Sequence, residues 1–174
     1  ALQLAGLHNA RNAVAAADTC AREGLDVPLL GEATRAGLRT FVRAAGSSIK
    51  NPLDIDRAIM NLDLFRRTLK LLVADPAIDM VIVDHQLDRL RHIAGPHAIA
   101  GMGSIMAEVA AEAAPRKALA AVLFTWGGDP QVREERRNVT AELRRRGVPV
   151  FRTLPRAARA LSRFAGYQQF LRQL

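Results

Sequence analysis

Three groups of residues have types and spacing that could serve a site, the first of them by contacting an anion. His8, Asn9, Arg11 and Asn12 lie between an apolar stretch and a helical one, where a nucleotide-binding sheet carries its phosphate turn. The glycines that let backbone approach a phosphate are missing there, so free helix N–H groups and Arg11 would do the attracting, and a plain solvent loop is the competing reading. Asn51-Pro52-Leu53-Asp54 precedes a long helical stretch; Asn51 and Asp54 can shape that loop by bonding nearby backbone, and turn and capping chemistry explains the motif without a ligand. Trp126-Gly127-Gly128-Asp129-Pro130 joins two permissive glycines to a capping aspartate and a proline at a first helical position, so that a partner can approach or a helix simply begins.

The titratable residues add little. His85, directly after an apolar run, is the best placed of His8, His85, His92 and His97, but Asp84 beside it would repel an incoming phosphate. No histidine pair has metal-site spacing and no serine sits in a nucleophile elbow, so neither a metal site nor a catalytic residue is expected. Cys20 lies within a helical stretch as a packed thiol.

Four apolar runs read as buried strands: Leu2 to Leu7, Met80 to Val83, Ala118 to Phe124 and Val148 to Phe151. Val27 to Leu30 is a weaker one, demoted to an edge by Pro28. Between them, helical periodicity runs from Ala13 to Glu23, Ala33 to Ala44, Asp56 to Ala74, Ala98 to Ala114 and Pro130 to Arg146, with Gly24 and Gly46 as stops. Arg144, Arg145 and Arg146 sit where a helix C-terminus favours positive charge. Such alternation predicts one α/β domain over residues 1–174, a three-layer Rossmann-like or flavodoxin-like unit with a doubly wound, mostly parallel sheet. Ligands meet such sheets at the carboxyl ends of the strands, here the loops His8 to Asn12, Asp84 to Gln86, Trp126 to Asp129, and Arg152 to Thr153.

A formal charge of +8 raises the question of a polyanionic partner. The arginines are spread over nearly every expected helix and mixed with acids, and aromatics make up only 5% of the chain, so nucleic acid is not expected. No apolar run approaches the roughly 18 residues of a membrane span, so no membrane partner is expected either. A single cysteine allows no internal disulfide and fits a reducing cytoplasm. The start, Ala1-Leu2-Gln3, reads as a chain cut from something longer.

The order of several short stretches resembles the NDP-forming acyl-CoA synthetases. They are Ala15-Ala16-Ala17-Asp18, Glu23 to Leu30, Thr34 with Leu38, Asn51 to Asp54, Asp75-Pro76-Ala77-Ile78-Asp79, Gly147 to Phe151, and Pro155 with Ala157 to Leu161. The resemblance implies the flavodoxin-like ligase module, similar to succinyl-CoA synthetase, found between a CoA-binding and phosphohistidine part and an ATP-grasp part. The parent would use CoA, ADP or ATP and magnesium, interconverting acyl-CoA, ADP and phosphate with acid, CoA and ATP through a phosphohistidine of another domain. The module itself would hold no cofactor, would be inactive in isolation, and would have as partners the other domains of the same enzyme or a second copy. Two departures bear on mechanism: Ala10, Arg11, Asn12 and Ala13 replace a Gly-Gly-x-Gly turn, and Asp84-His85-Gln86-Leu87 replaces a Gly-Gly helix start. Both remove phosphate-friendly backbone. The chain then positions a phosphohistidine segment or neighbouring domains, or, alternatively, is a non-catalytic interaction domain of a divergent member or of a protein acetyltransferase.

Overall fold

Residues 80–83 and 119–123 are buried without a break, which a strand can satisfy only at the centre of a sheet covered on both faces. A computed structural model, which describes residues 2–7, 13–43, 47–55 and 61–173, places them there. In chain order the elements are β1 (Leu2–Leu7), α1 (Ala13–Arg22), β2 (Leu25–Asp26), α2 (Glu32–Arg39), α3 (Leu62–Ala74), β3 (Met80–Gln86), α4 (Leu87–Ala94), α5 (Ala98–Ala113), β4 (Ala118–Phe124), α6 (Pro130–Arg145), β5 (Val150–Phe151) and α7 (Leu154–Leu171). The five strands are parallel, in the order β2-β1-β3-β4-β5, which is the flavodoxin-like order.

Side chains alternate across the sheet and divide the core in two. Val81, Val83, Leu119, Ala121 and Leu123 pack with the layer that contains α2 to α6, where Phe65, Leu69, Leu72, Ile99 and Met106 are fully or almost fully buried. Met80, Ile82, Ala120 and Val122 face α1 and α7 and meet Cys20, Ala157, Ala158 and Leu161. Burial pushes the Cys20 thiol up to about 11, so it stays protonated as a packing group.

Helix α5 has small residues where its neighbours come close. A Cβ on Gly101 would stand 2.5 Å from Leu62 of α3, and one on Gly103 would collide with the Val139 side chain of α6. Gly103→Val is therefore expected to cost about 2 kcal/mol, read as a lowered urea midpoint at unchanged slope. A midpoint equal to wild type would mean that α6 moves aside freely.

Elsewhere the boundaries shift for identifiable reasons. The edge strand β2 forms at Leu25–Asp26, just before the stretch that contains Pro28. Helix α2 ends at Arg39, where the Thr40 hydroxyl donates to the Gly37 carbonyl at 2.7 Å; the expected stop at Gly46 lies outside the described residues. Helix α3 begins at Leu62 because the Asn61 side chain accepts from the Asp63 and Leu64 N–H groups, both at 3.0 Å. Asp84 to Gln86, expected as a loop, continues β3, paired to Val122, Leu123 and Phe124 of β4. Helices α4 and α7 did not follow from periodicity.

The turn before β3 is fixed by Asp75, 1% exposed. Its carboxylate accepts from the Gly31 N–H at 2.8 Å and the Ala77 N–H at 2.9 Å, and takes a further bond from the Thr34 hydroxyl. Lys117 donates to the main-chain oxygens of Asp75 and Ile78, which brings its charge alongside. Burial pushes the Asp75 carboxyl upward, but these bonds and the Lys117 charge outweigh it and hold it below the ordinary value.

Candidate functional site at the carboxyl edge

The carboxyl ends of β3 and β4 are tied by one polar network. Gln86 caps α4: its side chain accepts from the Arg89 N–H at 2.6 Å and donates to Asp88 at 2.7 Å. The same Asp88 oxygen accepts from the Trp126 N–H at 2.9 Å, fixing the first residue of the Trp126-Gly127-Gly128 turn over the end of β3. Gly127 lies at φ +97°, a left-handed conformation that favours glycine, and its carbonyl accepts from Arg133 at 2.8 Å. A Cβ on Gly128 would meet open space. Asp129 caps α6, accepting from the Gln131 N–H at 2.8 Å, with Pro130 following. Arg91 of α4 then pairs with Glu135 and donates to Gln131 at 2.7 Å, so the two helices that start at this edge are joined.

His85 lies on the face of β3 shared with Val81 and Val83 and is 6% exposed. Its Nε2 has no hydrogen-bond partner among the described residues. Burial, helped by the Arg89 charge, pushes its pKa down to about 4 against the opposing pull of Asp84, so the imidazole is neutral at pH 7. A neutral, buried ring offers no cation to a phosphate at pH 7.

Asn51 and Asp54 stand at another place along the edge. Asn51 donates through Nδ2 to the Pro28 carbonyl at 2.9 Å, holding residues 47–55 against the segment that leaves β2. Asp54 is 3% exposed, and its backbone exchanges both hydrogen bonds with Ser48, at 2.7 and 2.9 Å. Strands lie about 4.8 Å apart, so with β1 between them β2 and β3 are separated by about 10 Å. His85, Gly127 and Gly128 are thus brought to one end of the central pair, while Asn51 and Asp54 lie towards the β2 end. His8, Asn9, Arg11 and Asn12 lie outside the described residues.

Of the two residues that hold this edge, Gln86 was expected only as part of a loop, and Asp88 was not singled out. Their signal was a capping residue followed by an acid in a first helical turn. Among the described residues no group of three or more His, Cys, Asp or Glu is placed to hold a metal ion, and no helix is long and apolar enough to cross a membrane. The acids at this edge, Asp88 and Asp129, are engaged in capping and network bonds. The arrangement holds the loops at this edge in register.

No family model matches the sequence, and no curated protein matches it significantly. Solved structures match the fold. PH0766 from Pyrococcus horikoshii OT3 aligns with a TM-score of 0.73 at 22% identity, covering 92% of this chain and 34% of that one. The dinucleotide-forming acetyl-coenzyme A synthetase 1 of Ca. Korarchaeum cryptofilum, in its apo form, aligns at 0.72 and 20% identity, covering 97% of this chain and 33% of that one. The same enzyme in complex with phosphate and ADP gives 0.71, again at 20% identity with the same coverage. This chain thus spans about a third of the length of those it resembles.

Proposed function

We propose that this chain is the ligase module of an NDP-forming acyl-CoA synthetase, and that it positions a phosphohistidine segment or neighbouring domains while acyl-CoA, ADP and phosphate are interconverted with acid, CoA and ATP. The observation that carries the reading is the extent of the fold match: 92–97% of this chain aligns on about a third of longer chains, one of them named an acetyl-coenzyme A synthetase. In this reading His8, Asn9, Arg11 and Asn12 offer an anion contact, and the Gly127-Gly128 turn admits the partner segment. Asn51 and Asp54 shape the loop next to β2. CoA, nucleotide and magnesium belong to the other domains, and the site of action is the cytoplasm. The interaction-module reading has its own support in Phe164, Tyr167, Phe170 and Leu171, exposed along α7.

Calorimetric titration of the chain with phosphate, magnesium-ADP and CoA tests the first reading, with Arg11→Ala alongside. Saturable binding of phosphate, weakened tenfold or more in Arg11→Ala, is the expected result. Heats indistinguishable from dilution for all three would leave the interaction module as the reading.

A further inference from the structure

Helix α6 carries both signs of charge, but it sorts them by face. Glu135 is paired with Arg91, and Glu142 with Arg145 and Arg146. Arg136, Arg137, Thr140 and Arg144 recur at three- and four-residue spacing and so share one side of the helix, while the remaining acid, Glu134, is exposed and does not line the groove they form. That side meets the edge strand β5, where Arg152 follows Phe151. Together they line a groove of about 280 Å³ with no carboxylate in its wall.

Each arginine there lacks an acidic partner among the described residues. Arg144 donates to the Val150 carbonyl at 3.3 Å, and no ion pair joins Arg136, Arg137 or Arg152 to any described acid. The Nε of Arg136 is buried without an acceptor among the described residues, an uncommon state for a charged donor. Burial and then the neighbouring charges of Arg152 and Arg137 lower the Arg136 pKa, so the three guanidinium groups feel one another. Helix-dipole complementarity does not account for the cluster. It favours cations in the last turn of a helix, which covers Arg144, whereas Arg136 and Arg137 stand in the second turn after Pro130.

We propose that the groove between α6 and β5 is a binding site for an oligophosphate, with Arg136, Arg137, Arg144 and Arg152 as its ligands. Guanidinium forks match phosphate oxygens in pairs, and four of them along a short groove suit two or three phosphoryl groups in a row better than a single anion. The Thr140 hydroxyl on the same side of α6 is a further donor to such a chain. The site lies at the β5 edge of the sheet, with β3 and β4 between it and β1, and does not depend on the ligase reading.

Titration calorimetry with inorganic tripolyphosphate tests it, on the intact chain and on Arg137→Glu, Arg152→Glu and Arg136→Met, with Arg22→Glu as a charge-matched control. Arg137 and Arg152 are exposed, so reversing them leaves the core alone, and circular dichroism checks each fold. Arg22 is exposed on α1, in the opposite layer, paired with Asp18. Saturable binding is expected, weakened about tenfold or more by each groove variant and by less than threefold in Arg22→Glu. ATP and pyrophosphate serve as further arms: ATP binding more tightly than tripolyphosphate identifies a nucleotide as the source of the phosphates, and equal or weaker binding identifies a free polyphosphate. No binding of tripolyphosphate, binding indifferent to the groove variants, or tighter binding of hexaglutamate than of tripolyphosphate overturns the proposal, the last in favour of an acidic protein segment.

Discussion

Asp75→Ala is expected to lower folding stability by about 3 kcal/mol, a large share of the 5–15 kcal/mol typical of a domain. The change strips an acceptor from the Gly31 and Ala77 N–H groups and from the Thr34 hydroxyl, and leaves the Lys117 ammonium without the carboxylate it faces. Asp75→Asn keeps one acceptor oxygen and should lose roughly half as much. Urea unfolding measures both. The pH dependence has a definite sign: because the folded carboxyl is held below its value in the unfolded chain, its contribution is present above the unfolded pKa and is lost as pH falls through the folded one. If Asp75→Ala unfolds at the wild-type midpoint, the turn before β3 is held by something other than this carboxylate.

His85 supplies the second large effect, and it appears nearer neutrality. The folded ring has a pKa of about 4 against 6.5 for the free side chain. Below 6.5 the unfolded chain takes up a proton that the folded chain refuses, so stability is full above that pH and falls until pH 4. At 1.36 kcal/mol per unit the loss is about 3 kcal/mol. His85→Leu keeps an apolar group in the same place and removes the titration. The wild-type and variant stabilities should therefore converge or cross as pH drops from 7 to 4, with the variant flatter over that window. Parallel curves would mean that the imidazole is reached by protons without unfolding.

The parts of this fold that were legible in the sequence are those decided locally. Continuous apolar runs such as Met80 to Val83 and Ala118 to Phe124 have one comfortable environment, and Asp129-Pro130 specifies a helix start by itself. What escaped is decided by partners far along the chain. Asp84, His85 and Gln86 are polar and look like a loop, but pairing with Val122, Leu123 and Phe124 keeps them in the sheet. Pro28 drew attention to the wrong four residues, since the paired segment is Leu25–Asp26 just before it. Helix α4 is only eight residues long, and Leu87 and Leu90 are the residues it buries, so a periodic stripe has little length in which to register. Of the candidate site, the glycine turn and the Asn51 loop were visible as local chemistry. The bond from Asn51 to Pro28, the Asp88 link to Trp126 and the arginines gathered from α6 and the end of β5 depend on topology, which residue types alone do not give.

The sheet ends on both sides in strands of two residues, β2 and β5. A strand that short offers an incoming chain almost nothing to hydrogen-bond, and at β5 the Val150 carbonyl is already occupied by Arg144. Growth of the native sheet by strand addition is thereby disfavoured at each margin. The surfaces this leaves for contact with a neighbour are those of helices and loops, outside the hydrogen-bonded centre of the sheet.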